Sequence, residues 1–251
     1  MPAITPRGLE INLDEARPIQ AVRVARTLLR TNRVTSLATL DPSGYPYSTV
    51  TNLIVEPDGV PVIFMTGLAV HARNIAVDPR VSITVTDSTI DVMTAARLTL
   101  SGSAEAVPAD KTSTLKARYI DRFPKAKLYL SLPDALLYRI KTEAVQLNGG
   151  PAQNANAVMP EDLLTDLEPA AALMAEAHAL VASLNKDGLA TRLAAASGAD
   201  PGCWRVSSID PEGIDLSTAT ELARLWFTDP VMTHRDFSAA VAGLLELPTN
   251  S

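Results

Sequence analysis

The chain has 251 residues, is 47% hydrophobic and 20% charged, and carries a net charge of −6; that is enough apolar material for a core and excludes disorder over most of its length. The acidic balance argues against broad binding to nucleic acid or an anionic membrane, and a single cysteine, Cys203, excludes a disulfide framework or a cysteine-built zinc site. There is no apolar leader at the N-terminus and no run long enough to span a bilayer, so cytoplasm is the expected compartment.

Residues 1–16 read as a loose arm. Pro18 suits a first helical turn, and Ile19, Val22, Ala25, Leu28 and Leu29 then recur at helical spacing. Arg23, Arg26, Arg30 and Arg33 load the far side and the C-terminal end, where arginine opposes the negative end of the helix dipole. Short strands follow. Val34–Leu40 stops at Asp41-Pro42-Ser43-Gly44, Tyr45–Val55 stops at Glu56-Pro57-Asp58-Gly59, and Val60–Thr66 is the third. Two proline–glycine turns between β-branched runs predict an antiparallel meander.

Gly67–Val77 reads as a glycine followed by a short helix that carries Leu68, Val70, Ile75 and Val77, ended by Asp78-Pro79. Val81, Ile83 and Val85 alternate with polar residues, the period of a half-buried strand. Arg97–Val107 is another, with a bulge expected at Gly102. Pro108–Arg122 reads as helical, and Leu136–Thr142 and Ala144–Leu147 as strands. Six or more short antiparallel strands with few helices predict a small closed barrel.

Asn148-Gly149-Gly150-Pro151 marks a boundary, with domains expected at 17–156 and 157–251. The second is alanine-rich: helices at Pro169–Leu184 and Leu189–Ala196, strands at Trp204–Ile209, Ile214–Leu216 and Leu222–Phe227, and a last helix at Thr233–Leu245. The whole reads as α+β, a barrel followed by a small α/β domain.

Three histidines, His71, His178 and His234, lie on different predicted helices without metal-type spacing, so no metal site is expected. No hydrolase elbow, P-loop or dinucleotide fingerprint occurs. The segment Thr66-Gly67-Leu68-Ala69-Val70-His71-Ala72-Arg73-Asn74 places a hydroxyl, an imidazole and a guanidinium in one strand-to-helix passage. Backbone N–H groups at a helix start suit a phosphate; a capped turn with exposed polar side chains is the other reading. Ser48, Thr49, Thr51 and Asn52 add hydroxyl and amide groups, or express the β-propensity of threonine.

The run Leu68-Ala69-x-His71-x-x-Asn74-Ile75-x-x-Asp78-Pro79-Arg80 resembles the FMN-binding split barrel related to pyridoxamine 5′-phosphate oxidase, and more narrowly its haem-utilisation branch. Ala96–Gly102, Arg118-Tyr119 with Phe123-Pro124-Lys125-Ala126, Leu137–Ile140 and Leu147–Gly150 continue the pattern in order. Ser208–Leu216 resembles the small domain that often follows such a barrel. The resemblance implies a six-stranded antiparallel split barrel, a homodimer, and FMN or haem at the subunit seam, held by Ser48, Thr49, Thr66, His71, Arg73 and Asn74. It leaves open a flavin-dependent oxidoreductase, a haem-degrading oxygenase, or a non-catalytic haem-binding or tetrapyrrole-regulatory protein acting through a protein partner. Three departures stand out. A lysine of the oxidase is His71 here, an arginine near Ser48 is absent, and the H-x-N-x-D-H stretch of the second domain is Ser183-Leu184-Asn185-Lys186-Asp187-Gly188.

Overall fold

The computed structural model describes residues 19–86, 95–148, 154–155 and 158–246. The expected arm, the turn at Gly149–Pro151 and the expected boundary at 156/157 lie outside these residues. The chain divides into two compact units, Met1–Leu164 and Thr165–Ser251.

The first unit opens with helix α1 (Ile19–Thr31), followed by strands β1 (Val34–Leu40), β2 (Pro46–Val55) and β3 (Pro61–Thr66). Helix α2 (Val70–Val77) leads into β4 (Arg80–Thr86) and β5 (Arg97–Ala106), then α3 (Ala109–Arg122), the short α4 (Lys127–Leu130), β6 (Ala135–Asn148) and the two-residue β7 (Asn154–Ala155). The strands run in the order β3-β2-β1-β4-β5-β6-β7, every pair antiparallel, and β3 also pairs with β6. Six strands therefore close a barrel, and closure removes the open edges that would otherwise invite further pairing.

The alternation read from sequence sets the inner face. Leu37, Leu53, Ile63, Ile83, Leu98 and Leu100 point inward and are nearly fully buried, and α1 adds Ala25, Leu28 and Leu29 to that cluster. A second cluster lies outside the wall, where Ile54, Val62 and Leu137 are covered by Leu115 and Tyr119 of α3. The two strands expected after α3 are one, β6. It jogs between Ala144 and Thr142, opposite Ser101 and Gly102. Gly102 is required there, because a Cβ would stand 1.9 Å from the Lys141 carbonyl oxygen.

The arginines of α1, and Arg33 just after it, do more than oppose a dipole. Arg30 is buried and donates from Nη2 to the Pro57 carbonyl at 3.0 Å. Arg26 donates to the carbonyls of Asp162 and Leu164, and Arg33 donates to the Arg122 carbonyl at 2.9 Å. The fork of guanidinium donors satisfies carbonyls that loops leave unpaired. Residues 158–164, including a 3₁₀ turn at Pro160–Leu163, thereby belong to the first unit, with Val158 and Leu163 in its core.

The second unit contains α5 (Ala171–Ala175), α6 (Ala177–Leu184), α7 (Leu189–Ala196), strands β8 (Arg205–Asp210), β9 (Gly213–Ser217) and β10 (Leu222–Trp226), and α8 (His234–Glu246). The single helix expected over Pro169–Leu184 is two, because Glu176 bonds back three residues to Leu173 and the turn tightens there. The sheet is an antiparallel meander, β10-β9-β8. Its apolar face, with Val206, Ile209, Ile214, Leu216 and Leu225, packs with Leu173, Leu180, Leu193 and Phe237 of the helices. Its other face holds Arg224, bidentate to Asp210 at 2.7 Å twice, 2.9 Å from Asp215, and stacked on Trp226 at 4.4 Å. No helix among the described residues is long and apolar enough to cross a membrane.

Candidate functional site

The barrel opens where β2 leaves β3. These strands pair only over Leu53–Val55 and Pro61–Ile63. Below that, β2 stays with β1, down to Leu40↔Pro46, while β3 continues along β6 to Thr66↔Ala135. One hydroxyl reaches across the throat of the split, Thr51 Oγ1 to the Phe64 carbonyl at 3.4 Å.

Register decides which predicted residues can meet one ligand. Ser48 pairs with Ala38 and Thr49 with the fully buried Leu37. Successive side chains of a strand point to opposite faces, so Thr49 lies on the inner, split side and Ser48 on the outer wall. The structure therefore does not bring Ser48 and Thr49 together. On the outer wall Ser48 joins a row of small side chains, Ala38, Ser82 and Ser101, with Ser36, Thr84 and Thr99 in the row beside it. The exposed Val50 stands on the same face of β2.

The passage from β3 to α2 is tightly bonded. Gly67 donates to the Asp134 carbonyl at 2.9 Å, and Ala69 to the Thr66 carbonyl at 3.0 Å. No side chain caps α2. Thr66 ends β3 half-buried, and His71 stands half-buried on the first turn of the helix. Burial holds the imidazole of His71 below its ordinary value of 6.5, so it is neutral at pH 7. Arg73 is exposed, and its Nη2 donates to the Leu68 carbonyl at 3.3 Å. Asn74 does not face outward. It is 3% exposed and its amide donates to Thr39 Oγ1, itself 2% exposed, at 3.0 Å.

Two features of the passage escaped the sequence reading. The first is which residues turn inward: Ile75 and the small Ala72 of α2 are buried, whereas Leu68 before the helix is 82% exposed and Val70 and Val77 are exposed too. The second is Asp134, whose carboxylate would lie 3.8 Å from a Cβ built on Gly67. Neither has a local signal, since each depends on which chain segment passes alongside.

The other two histidines belong to the second unit. His178 is exposed, and His234 Nδ1 meets Glu176 at 2.7 Å on the surface. No group of three or more His, Cys, Asp or Glu among the described residues could hold a metal ion. In the stretch that departs from the family pattern, Asn185 exchanges two hydrogen bonds with the backbone of Val206, at 2.8 and 2.9 Å. Asp187 and Gly188 both take positive φ, +53° and +74°. Gly188 thus relieves a left-handed turn that a histidine would strain.

Comparison with known proteins follows the same lines. The family model of pyridoxamine 5′-phosphate oxidase matches residues 22–149. A crystal structure of a protein of unknown function from Agrobacterium tumefaciens is 51% identical over 90% of this chain and 95% of that one, with a TM-score of 0.84. A haem-binding protein from Mycobacterium smegmatis is 27% identical over 92% of this chain and 97% of that one, with a TM-score of 0.55. The chloroplastic haem oxygenase HOZ of Arabidopsis thaliana is 25% identical over 146 residues, 57% of this chain. The match spans 45% of that relative's own length.

Proposed function

Because the chain belongs to the pyridoxamine 5′-phosphate oxidase family, we propose that its barrel seats a planar anionic cofactor beside α2, that this cofactor is haem rather than FMN, and that the protein works as a homodimer. The observation that carries the reading is the half-buried, neutral imidazole of His71 on a helix whose neighbouring surface is apolar, at Leu68 and Val70. A neutral imidazole suits iron ligation. It suits a phosphate dianion poorly, because it brings one N–H and no charge, and Asp134 beside Gly67 adds a repelling carboxylate. Exposed apolar side chains suit the face of a macrocycle, and Arg73 suits a propionate. The haem-binding relative of similar length supports the same choice.

In this reading His71 would ligate the iron, Arg73 and Thr66 would meet the acidic or polar edge, and Thr49 would line the split. Ser48 serves the outer wall. Haem, when bound, supplies the redox chemistry; the protein seats it and limits the approach of water.

A haemin titration and an FMN titration of the full chain, run side by side, test the choice. The expected result is a stoichiometric Soret shift with haemin, lost in His71→Ala, and no retained flavin. Stoichiometric flavin with unsaturable haemin binding would overturn it.

A second reading, a haem carrier or regulator without turnover, is favoured by the second unit. Ser183 and Gly188 stand where the related pattern has histidines, and the +74° φ of Gly188 leaves no easy return to one. Loss of the Soret band and release of iron under ascorbate would mark an oxygenase; a persistent band would mark a carrier.

A further inference from the structure

We infer that Thr39 of β1 and Asn74 of α2 form a positioning pair that fixes the height and rotation of α2 and so aims the imidazole of His71. The inference rests on the haem reading of the site and adds to it a residue pair that does not touch the ligand.

Helix α2 has little to hold it by itself. It has eight residues and no side-chain cap, and isolated helices this short are marginal in water. Its inward face is Ala72 and Ile75, with Asn74 between them. An alanine and an isoleucine supply burial but no direction, since apolar contact is non-directional. Among the described residues, the one side-chain hydrogen bond seen from this face is the Asn74 amide on Thr39 Oγ1, 3.0 Å long and buried at both ends. With both ends buried, such a bond is costly to leave unmade, so the helix is held where the bond forms.

The spacing couples this bond to the site. His71 and Asn74 are three residues apart, and His71 and Ile75 four, so the three share one face of the helix. Asn74 sits one turn below the imidazole. Turning the helix to break the Asn74 contact would swing His71 with it. On the strand side, Thr39 is fixed from both flanks, opposite Tyr47 on β2 and Val81 on β4. The pair therefore ties His71 to a strand paired on both sides, although the passage before α2 is a loop.

The test uses the full chain with four variants, Thr39→Val, Thr39→Ser, Asn74→Leu and His71→Ala. Thr39→Val keeps the shape and removes the acceptor; Thr39→Ser keeps the acceptor. Haemin titration gives affinity, the ferric absorption spectrum reports the axial ligand, and hydrogen exchange of the α2 amides in the ligand-free protein reports the seating of the helix. Thr39→Val and Asn74→Leu are expected to weaken haemin binding about tenfold, the scale of outer-shell substitutions at metal sites. Both should change the axial-ligand spectrum and speed α2 exchange, while Thr39→Ser retains wild-type values in all three. A folded Thr39→Val protein with wild-type affinity and spectrum would overturn the pairing while leaving the haem reading in place. If the wild type binds no haemin, or His71→Ala keeps the wild-type spectrum, the haem reading falls. Exchange then decides the pair alone: wild-type exchange in Thr39→Val overturns it, and faster exchange in that variant but not in Thr39→Ser upholds it.

Discussion

At His71 a single burial has two consequences, one for ligand choice and one for stability. Desolvation lowers its pKa in the folded protein below the ordinary 6.5. The unfolded chain therefore takes up a proton first as the pH falls, and between the two values it binds more protons than the folded chain. Stability is then lost as pH drops from about 6.5 through the folded pKa, and is fully present above that window. Urea unfolding of the ligand-free protein at about pH 7.5 and about pH 5.5 should show a larger loss in the wild type than in His71→Gln, which has no such proton to take up. Equal losses would mean that the imidazole is as well solvated in the folded chain as in the unfolded one. The buried ion cluster of the second unit is a contrast. There Arg224 faces two carboxylates within 2.9 Å, so its charge is matched locally. Among the described residues no such partner is seen for His71, whose shift is caused by desolvation.

Among the elements, turns and strands were the most legible. Asp-Pro-Ser-Gly and Glu-Pro-Asp-Gly mark the two hairpins of the first meander, and both glycines take positive φ, +89° at Gly44 and +91° at Gly59. The two positions differ in what they tolerate. Gly44 has open space around it, whereas a Cβ at Gly59 would stand 2.2 Å from the Leu163 carbonyl oxygen. Gly59→Ala should therefore cost about 1–3 kcal/mol, the range of a strained backbone position, and Gly44→Ala should cost less. Denaturant midpoints of the two variants check this, and equal costs would show that residues 158–164 give way. The same contact explains a limit of sequence reading. Turn chemistry is local and shows in four residues, but nothing in Gly59 says that a segment a hundred residues on lies against it. Asn74 is the parallel case in the site. Its place in the motif suggested a ligand contact, and the buried Thr39 beside it could not be read from either sequence neighbourhood. The exposure of the apolar Leu68, Val70 and Val77 was equally illegible, since sequence spacing cannot tell a face that meets a core from one that meets solvent.

For the whole molecule the open question is what completes the seat. On the proposed reading His71 and Arg73 supply one side of the seat, and the outer wall of β1, β2, β4 and β5 is built from small, mostly hydroxylated side chains with Thr84 and Thr99 bonded to each other at 3.1 Å. Val50 is 68% exposed, Val34 50% and Tyr45 73% on or beside that wall. Large side chains left in water around a smooth face mark an interaction surface, and small ones allow two sheets to approach closely. A second copy of the chain, set against this wall, would cover Val50 and give the cofactor its other side. Val50→Glu places a charge on the outer face of β2, the edge strand of that wall, without touching the barrel interior. Sedimentation equilibrium should give a dimer for the wild type and a shift toward monomer for Val50→Glu, by at least about tenfold in the dissociation constant, as one unpaired charge in a buried contact costs more than the 1.4 kcal/mol that a factor of ten represents. Haemin affinity should fall with it, since half of the seat would be withdrawn. A variant that remains dimeric would place the contact on another face. One that becomes monomeric yet binds haemin as before would mean that each subunit holds its cofactor without help.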